Sequence, residues 1–218
     1  MEKTQLTPHE FQALYENVKC PGDPSRFNHY VQSAWIKFQI ARLLQPSNIV
    51  ELGVRAGYSA WSLHHGWPIA NIIAYDSYQS GYQGTQGHEL ELQVHAEELL
   101  ERLGIELRIE DTQKLKSIPS AALYHVDADH TYEGCYKDIK LCMNSNDEAV
   151  IVVHDSNADA VHSAIKDVVT SANPRWFWDN ISSHWGDAVI SRRLEPWVDK
   201  VKPFPPKLVK SDPGWPDE

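Results

Sequence analysis

The sequence predicts an α/β fold: a mostly parallel seven-stranded sheet with a C-terminal antiparallel hairpin and helices on both faces. Three observations predict it. Short apolar runs alternate with longer helical stretches along most of the chain, as in repeated βαβ units. The first run, Asn48-Ile-Val-Glu-Leu, enters the glycine-containing turn Gly53-Val-Arg-Ala-Gly57, and the next run ends in Asp76. The last two runs, 176–181 and 187–193, read as a closing antiparallel pair. At 218 residues, one domain is the default, and the chain is long enough to bury a full α/β core.

The elements follow in order. Residues 1–47 are expected to form a helical cover segment ahead of the core. Within it, 29–44 is an amphipathic helix with Tyr30, Ala34, Ile36, Phe38, Ile40, Ala41 and Leu44 near one face. Gln45-Pro-Ser-Asn ends it. The domain proper spans 48–194. Strand 1 is read over 49–54, a helix over 59–66, strand 2 over 72–75 and a long helix over 88–103, closed by Gly104. Strands 3 and 4 are read over 106–109 and 121–126. A helix over 132–143, strand 5 over 149–153 and a helix over 158–170 precede the final pair. Residues 77–87, rich in Gly, Tyr and Gln, form a loop at the carboxyl edge of the sheet, where ligands bind in such folds. The tail, 195–218, holds Pro196, Pro203, Pro205, Pro206, Pro213 and Pro216, which exclude regular structure. Its Trp197, Phe204 and Trp215 are expected to pack on the chain's own domain, on a homodimer mate or over the site.

Composition excludes several classes. A formal net charge of −10 disfavours nucleic acid and anionic membranes, which require a basic footprint. No apolar run reaches the roughly 18 residues of a membrane span. The first ten residues carry no apolar signal core. The three cysteines, Cys20, Cys135 and Cys142, are odd in number and lack zinc spacing, so buried free thiols in a reducing cytoplasm are expected. His64, His65 and His184 lack convergent partners and read as surface or packing residues. Trp61, Trp67, Trp176 and Trp178 read as core.

Two motifs carry chemistry. In the first, Gly53 and Gly57 let the backbone pass close to a ligand, and Asp76 stands where a carboxylate accepts from both ribose hydroxyls. The spacing is Glu51-x-Gly53-x-x-x-Gly57-x-Ser59, not G-x-G-x-x-G, which argues against a pyrophosphate cradle and an NAD-dependent dehydrogenase. In the second, strand 4 runs into Asp127-Ala-Asp129-His130 and strand 5 into His154-Asp155-Ser156-Asn157. With these strand ends near one another, Asp127 and Asp155 converge, and convergent carboxylates repel unless a cation or proton joins them. An oxygen-rich set suits Mg²⁺, while two nearby histidines also leave room for Mn²⁺, Fe²⁺ or Zn²⁺. The alternative is a pair of turn-forming acids without metal. Asp129 either positions a ligand or caps the following helix.

The first motif resembles motif I of class I S-adenosylmethionine (SAM)-dependent methyltransferases. The second resembles the metal motif of catechol-type and caffeoyl-CoA-type O-methyltransferases. Asp127-x-Asp-His-x-Tyr-Glu-Gly with His154-Asp155 is more similar still to a bacterial branch that includes macrolide-sugar O-methyltransferases and cephalosporin-hydroxylase-like proteins. The similarity covers about residues 45–195. It implies a Rossmann-like class I methyltransferase fold, SAM held by Glu51, Gly53, Gly57, Ser59, Asp76, Asp111 and Asp127, and a divalent cation held by Asp127 and Asp155. The third ligand of the catechol type is an Asn where this chain has Ser156, so Ser156, Asn157, His154 or water fills that place. The general base there is a Lys three residues after the first metal acid, and His130 stands at that position with His154 as its rival. An imidazole suits this work because its pKa lies near neutrality. The implied function is O-methylation of a small-molecule hydroxyl on a sugar, phenol or natural product. The alternatives are a SAM-binding accessory protein without transfer of its own, or an N-methyltransferase on the same fold.

Overall fold

The computed structural model describes residues 6–20, 27–79, 87–181, 183, 185–193 and 196–205. Among them, seven strands form one sheet: β1 (Asn48–Leu52), β2 (Asn71–Asp76), β3 (Glu106–Ile109), β4 (Leu123–Val126), β5 (Val150–His154), β6 (Phe177–Ile181) and β7 (Asp187–Ser191). Their order across the sheet is β3-β2-β1-β4-β5-β7-β6. The first five are parallel, and β7 lies antiparallel between β5 and β6. Element ends fall within one or two residues of the sequence expectation, the usual scatter at fraying termini.

Residue type explains position in the sheet. β4 and β5, Leu-Tyr-His-Val and Val-Ile-Val-Val-His, are buried along their whole length because helices cover both faces. β3 and β6 are the edges and carry exposed polar residues, among them Glu106 in β3 and Asp179 in β6, which discourage pairing with another chain.

Helices α5 (Tyr132–Ser145) and α6 (Asp159–Ser171) pack Ile139, Val161, Ile165 and Val168 on one face, against Tyr124, Ile151 and Ile190. The other face takes α2 (Phe27–Leu44), α3 (Tyr58–Gly66) and α4 (Glu89–Arg102) through Ile36, Ile40, Leu63 and Leu100. Helix α1 (Pro8–Glu16) adds an aromatic cluster outside α2: Phe11, Tyr15, Trp35, Phe38 and Trp61. Its start is fixed by a reciprocal cap, in which Thr7 accepts from the Glu10 amide and the Glu10 carboxylate accepts from the Thr7 amide. Each of these buried aromatics contributes about 1.5–3 kcal/mol.

Two expectations are refined. The segment before residue 48 is more than a cover, because α2 is one layer of the sheet's own sandwich. The first part of the tail wraps its own domain. Trp197, Val198 and Val201 pack beside α2, and Phe204 joins the aromatic cluster. The Lys202 carbonyl accepts from Trp35 Nε1 at 3.1 Å and from Gln39 Nε2 at 2.7 Å. Residues 206–218, His184 and residues 80–86 of the expected loop lie outside the described residues. Cys20, Cys135 and Cys142 are buried free thiols. No helix of the described residues is long and apolar enough to cross a membrane.

The closest helix contact is between α2 and α3. A Cβ placed on Gly66 would lie 2.3 Å from the Phe38 carbonyl oxygen and 2.9 Å from Ala41 Cβ. Gly66→Ala should therefore lower stability by roughly 1–3 kcal/mol through overpacking, read as a lower urea midpoint at unchanged slope.

Candidate functional site

The carboxyl ends of β1, β2, β4 and β5 surround a cavity of about 310 Å³, at the small end of the roughly 300–1,000 Å³ typical of ligand sites. It straddles β1 and β4, where the strand order reverses, which is where open α/β sheets bind ligands. Asp76, Asp111, Asp127, Asp129 and Asp155 all line it, together with His130 and His154.

The glycine turn is shaped by the protein itself. Gly53 has φ +91°, and a Cβ there would lie 2.2 Å from the Asp127 carbonyl oxygen. The glycine is thus required by the neighbouring strand end. Gly57, also left-handed, starts α3 against Leu99 and Leu100 and does not line the cavity.

Asp76 binds this turn together. Its Oδ2 accepts from the amides of Val54 (2.7 Å) and Arg55 (2.8 Å), and its Oδ1 from the amide of Tyr78 (2.8 Å). A carboxylate offers about four acceptor sites, so a site remains for a ligand hydroxyl. Tyr78 donates its hydroxyl to the Arg55 carbonyl at 2.8 Å and so lies over the turn.

Glu51 and Ser59 sit beneath the turn, not in the cavity. Ser59 Oγ donates to Glu51 Oε1, and His125 Nδ1 lies 2.8 Å from the same oxygen. The resemblance assigned both to the cofactor; their placement assigns them to the support of the turn. Ser156, expected as a third metal ligand, likewise lies outside the cavity. It is buried, its Oγ donates to Asn180 Oδ1 at 2.7 Å, and it does not line the cavity. The reason is local: Asp155 takes φ +55° at the strand end, and Ser156 lies against the β6–β7 connection, where its Oγ would be 2.4 Å from a Cβ on Gly186.

The acid pair converges as expected, and a histidine joins it. His130 Nε2 lies 3.1 Å from Asp127 Oδ1, and His130 Nδ1 lies 3.3 Å from Asp155 Oδ2. Ligand atoms of Asp127, His130 and Asp155 all lie within 4.8 Å of one another, so these residues fit a divalent cation. The hydrogen bond to Asp127 and the surrounding carboxylates outweigh burial and raise the His130 pKa to about 9. A base with an ordinary imidazole pKa was expected, so the two acids change its character. Burial would raise the Asp127 carboxyl, but His154 and His130 hold it well below the usual range. Burial and the Asp127 charge keep Asp155 high. Asp129 accepts from the Thr131 amide at 2.8 Å, while Thr131 itself caps α5, so Asp129 stands two residues before the cap.

Asp111 ends the cavity on the β3 side. It caps a short 3₁₀ turn, Thr112–Lys114, accepting from the Gln113 amide at 2.9 Å, and pairs with Lys114 at 3.0 Å. Beneath this turn lies Asp138 of α5, wholly buried, which accepts from Thr112 Oγ1 (3.3 Å) and Gln113 Nε2 (3.0 Å). Burial raises its pKa to about 7.

Sequence reading missed the opposite wall. Tyr30 of α2 and Trp185 of the β6–β7 connection meet at 5.2 Å between ring centroids, with Arg55 over Tyr30 at 5.2 Å. Behind them, Lys37 of α2 pairs with Asp187 at 2.5 Å and lies 3.0 Å from His154 Nδ1. The one signal for Lys37 was a charged residue inside the apolar run Ala34-Trp-Ile-Lys-Phe-Gln-Ile-Ala41.

No family model matches this chain, and no curated protein matches it. Solved structures do. The SAH-bound methyltransferase PaMTH1 of Podospora anserina is 16% identical, with 86% of this chain and 88% of that one covered at a TM-score of 0.59. An O-methyltransferase from Bacillus cereus in complex with SAH is 14% identical over 84% and 88%, with a TM-score of 0.54. The O-methyltransferase TomG of Streptomyces achromogenes, involved in tomaymycin synthesis and solved with SAM, is 14% identical over 88% and 89%, with a TM-score of 0.53. The fold is therefore the Rossmann-like class I methyltransferase fold.

Two predictions follow the geometry. Asp76→Ala strands three backbone amides and should cost about 1–3 kcal/mol of stability, a loss visible in denaturation without ligand. Asp138 has its folded pKa raised above its unfolded value, so its contribution is full below about 4 and is lost as pH rises to about 7. Asp138→Asn should remove that slope, so stability relative to the parent chain rises across pH 4 to 7 and levels off above, in denaturation curves taken at each pH.

Proposed function

We propose that this chain is a SAM-dependent methyltransferase that methylates a hydroxyl of a small molecule with the aid of a divalent cation. The observation that carries the proposal is the meeting of two acid sets in one cavity. Asp76 with its glycine turn lies on one side of the β1–β4 switch point, and Asp127, His130 and Asp155 lie on the other. The three solved structures, each a methyltransferase bound to SAM or SAH, support the cofactor assignment.

Each wall has its task. Asp76 offers its remaining acceptor site to ribose hydroxyls, and Asp111 closes the side beyond it. Asp127, Asp155 and His130 would hold the cation, with His130 in the place expected of Ser156. One imidazole with two carboxylates suits Mn²⁺ or Fe²⁺ as well as Mg²⁺. When bound, SAM supplies an activated methyl group, and the cation supplies charge that acidifies and fixes an acceptor hydroxyl. Tyr30 and Trp185 offer an apolar wall for the acceptor's carbon skeleton. The acidic chain and this wall suit a neutral or metal-chelating sugar, phenol or natural-product intermediate, and the reducing cytoplasm remains the expected compartment.

The test combines calorimetry with an acceptor screen. SAM should bind and NAD should not. Chelation should stop turnover and leave SAM affinity in place. His130→Ala should weaken Mn²⁺ binding and cut kcat by at least about 100-fold. Retained Mn²⁺ affinity with the same loss of kcat would instead make His130 the general base. SAM binding with no product from any hydroxyl acceptor, with or without metal, would leave a SAM-binding accessory protein in its place.

A further inference from the structure

A buried charged network joins α2 to the cavity. Lys37 is 1% exposed and Asp187 wholly buried. A lone buried ammonium is strongly unfavourable, and a carboxylate offsets that only with good geometry and further hydrogen bonds. Lys37 Nζ has three polar neighbours: Asp187 Oδ1 at 2.5 Å, Ser33 Oγ at 2.6 Å and His154 Nδ1 at 3.0 Å. His154 Nδ1 is also 3.0 Å from Asp187 Oδ1. The other carboxylate oxygen, Asp187 Oδ2, accepts from Ser183 Oγ at 3.1 Å.

The ring is thereby fixed at one nitrogen from inside the protein. Its plane is fixed by Trp185, whose ring meets it edge-on at 5.8 Å and 86°. The remaining nitrogen, Nε2, faces Asp155 Oδ1 at 3.5 Å. Asp155 needs such support, because it follows β5 with a left-handed φ of +55° that a non-glycine residue rarely adopts.

We propose that Lys37 is a positioning residue: it pins the Asp187 carboxylate, which accepts from His154 Nδ1, and the ring so held keeps the Asp155 carboxylate in its place in the cavity. The work that Asp155 then does rests on the function proposed above, but the clamp itself does not. His154, expected from sequence as a rival base, has Nδ1 against Asp187 and Nε2 facing Asp155, and acts as the link.

Lys37→Met alone leaves a buried unpaired carboxylate and is prone to misfold. Lys37→Met with Asp187→Leu removes both charges at similar volume, and such replacements of buried pairs commonly keep the fold. The experiment compares the parent and this double variant, each with and without His154→Phe. The first readout is the ¹³C resonance of the Asp155 carboxyl, taken on the protein alone. The second is kcat against SAM affinity. The double variant should move the Asp155 resonance and lower kcat roughly 10–100-fold, as loss of outer support for a ligating group does, while SAM affinity is unchanged. In the His154→Phe background the same pair of substitutions should add nothing, because residues acting through one link are not additive. An unmoved Asp155 resonance, or full additivity with His154→Phe, overturns the proposal. If the parent chain transfers no methyl group, the functional reading fails while the resonance cycle still decides on the clamp.

Discussion

The ends of β1 and β4 approach so closely that no side chain fits between them. A Cβ on Gly53 would stand 2.2 Å from the Asp127 carbonyl, and the Asp127 amide donates to the Leu52 carbonyl at 2.7 Å. This contact brings the glycine turn and the acid pair into one cavity. The left-handed residues Arg55 and Tyr78 are then needed to carry the chain around, and Asp76 gathers the amides that these turns leave over. One backbone constraint thus sets the positions of side chains from two separate sequence motifs.

Electrostatics is the second constraint. Five aspartates line a small cavity in a chain of net charge −10. They are tolerated because each has a partner: Asp129 accepts from the Thr131 amide. Asp76 uses backbone amides, Asp111 a lysine and an amide, and Asp127 and Asp155 share an imidazole. The buried lysine behind them contributes a positive charge that no exposed residue could deliver at that depth. The cavity is therefore anionic but locally balanced, a setting that favours a cation over a phosphate-bearing ligand.

Much of this was legible in the sequence. Alternating runs announced the sheet, and the acids at strand ends announced the cavity, because a parallel strand must deliver its last residue to the carboxyl edge. Asp76, Asp127 and Asp155 do line one cavity. Glu51 and Ser59 do not, since a motif fixes spacing but not which face of a turn a side chain takes. Ser156 stays outside it for a related reason, as the positive φ at Asp155 turns the chain away. Lys37 and Asp187 lie 150 residues apart, and pairing at that separation leaves no local pattern.

The strap across α2 bears on how the chain is made. Trp35 and Gln39 find their partner in the backbone of Lys202, 167 and 163 residues later. During synthesis, domains fold largely from the N-terminus onward. Here α1 can cover Phe38 early, but Trp35 Nε1 and Gln39 Nε2 wait for the Lys202 carbonyl. Such non-local closure is slow. The nascent chain must therefore carry this helix unstrapped through most of the synthesis of its own domain.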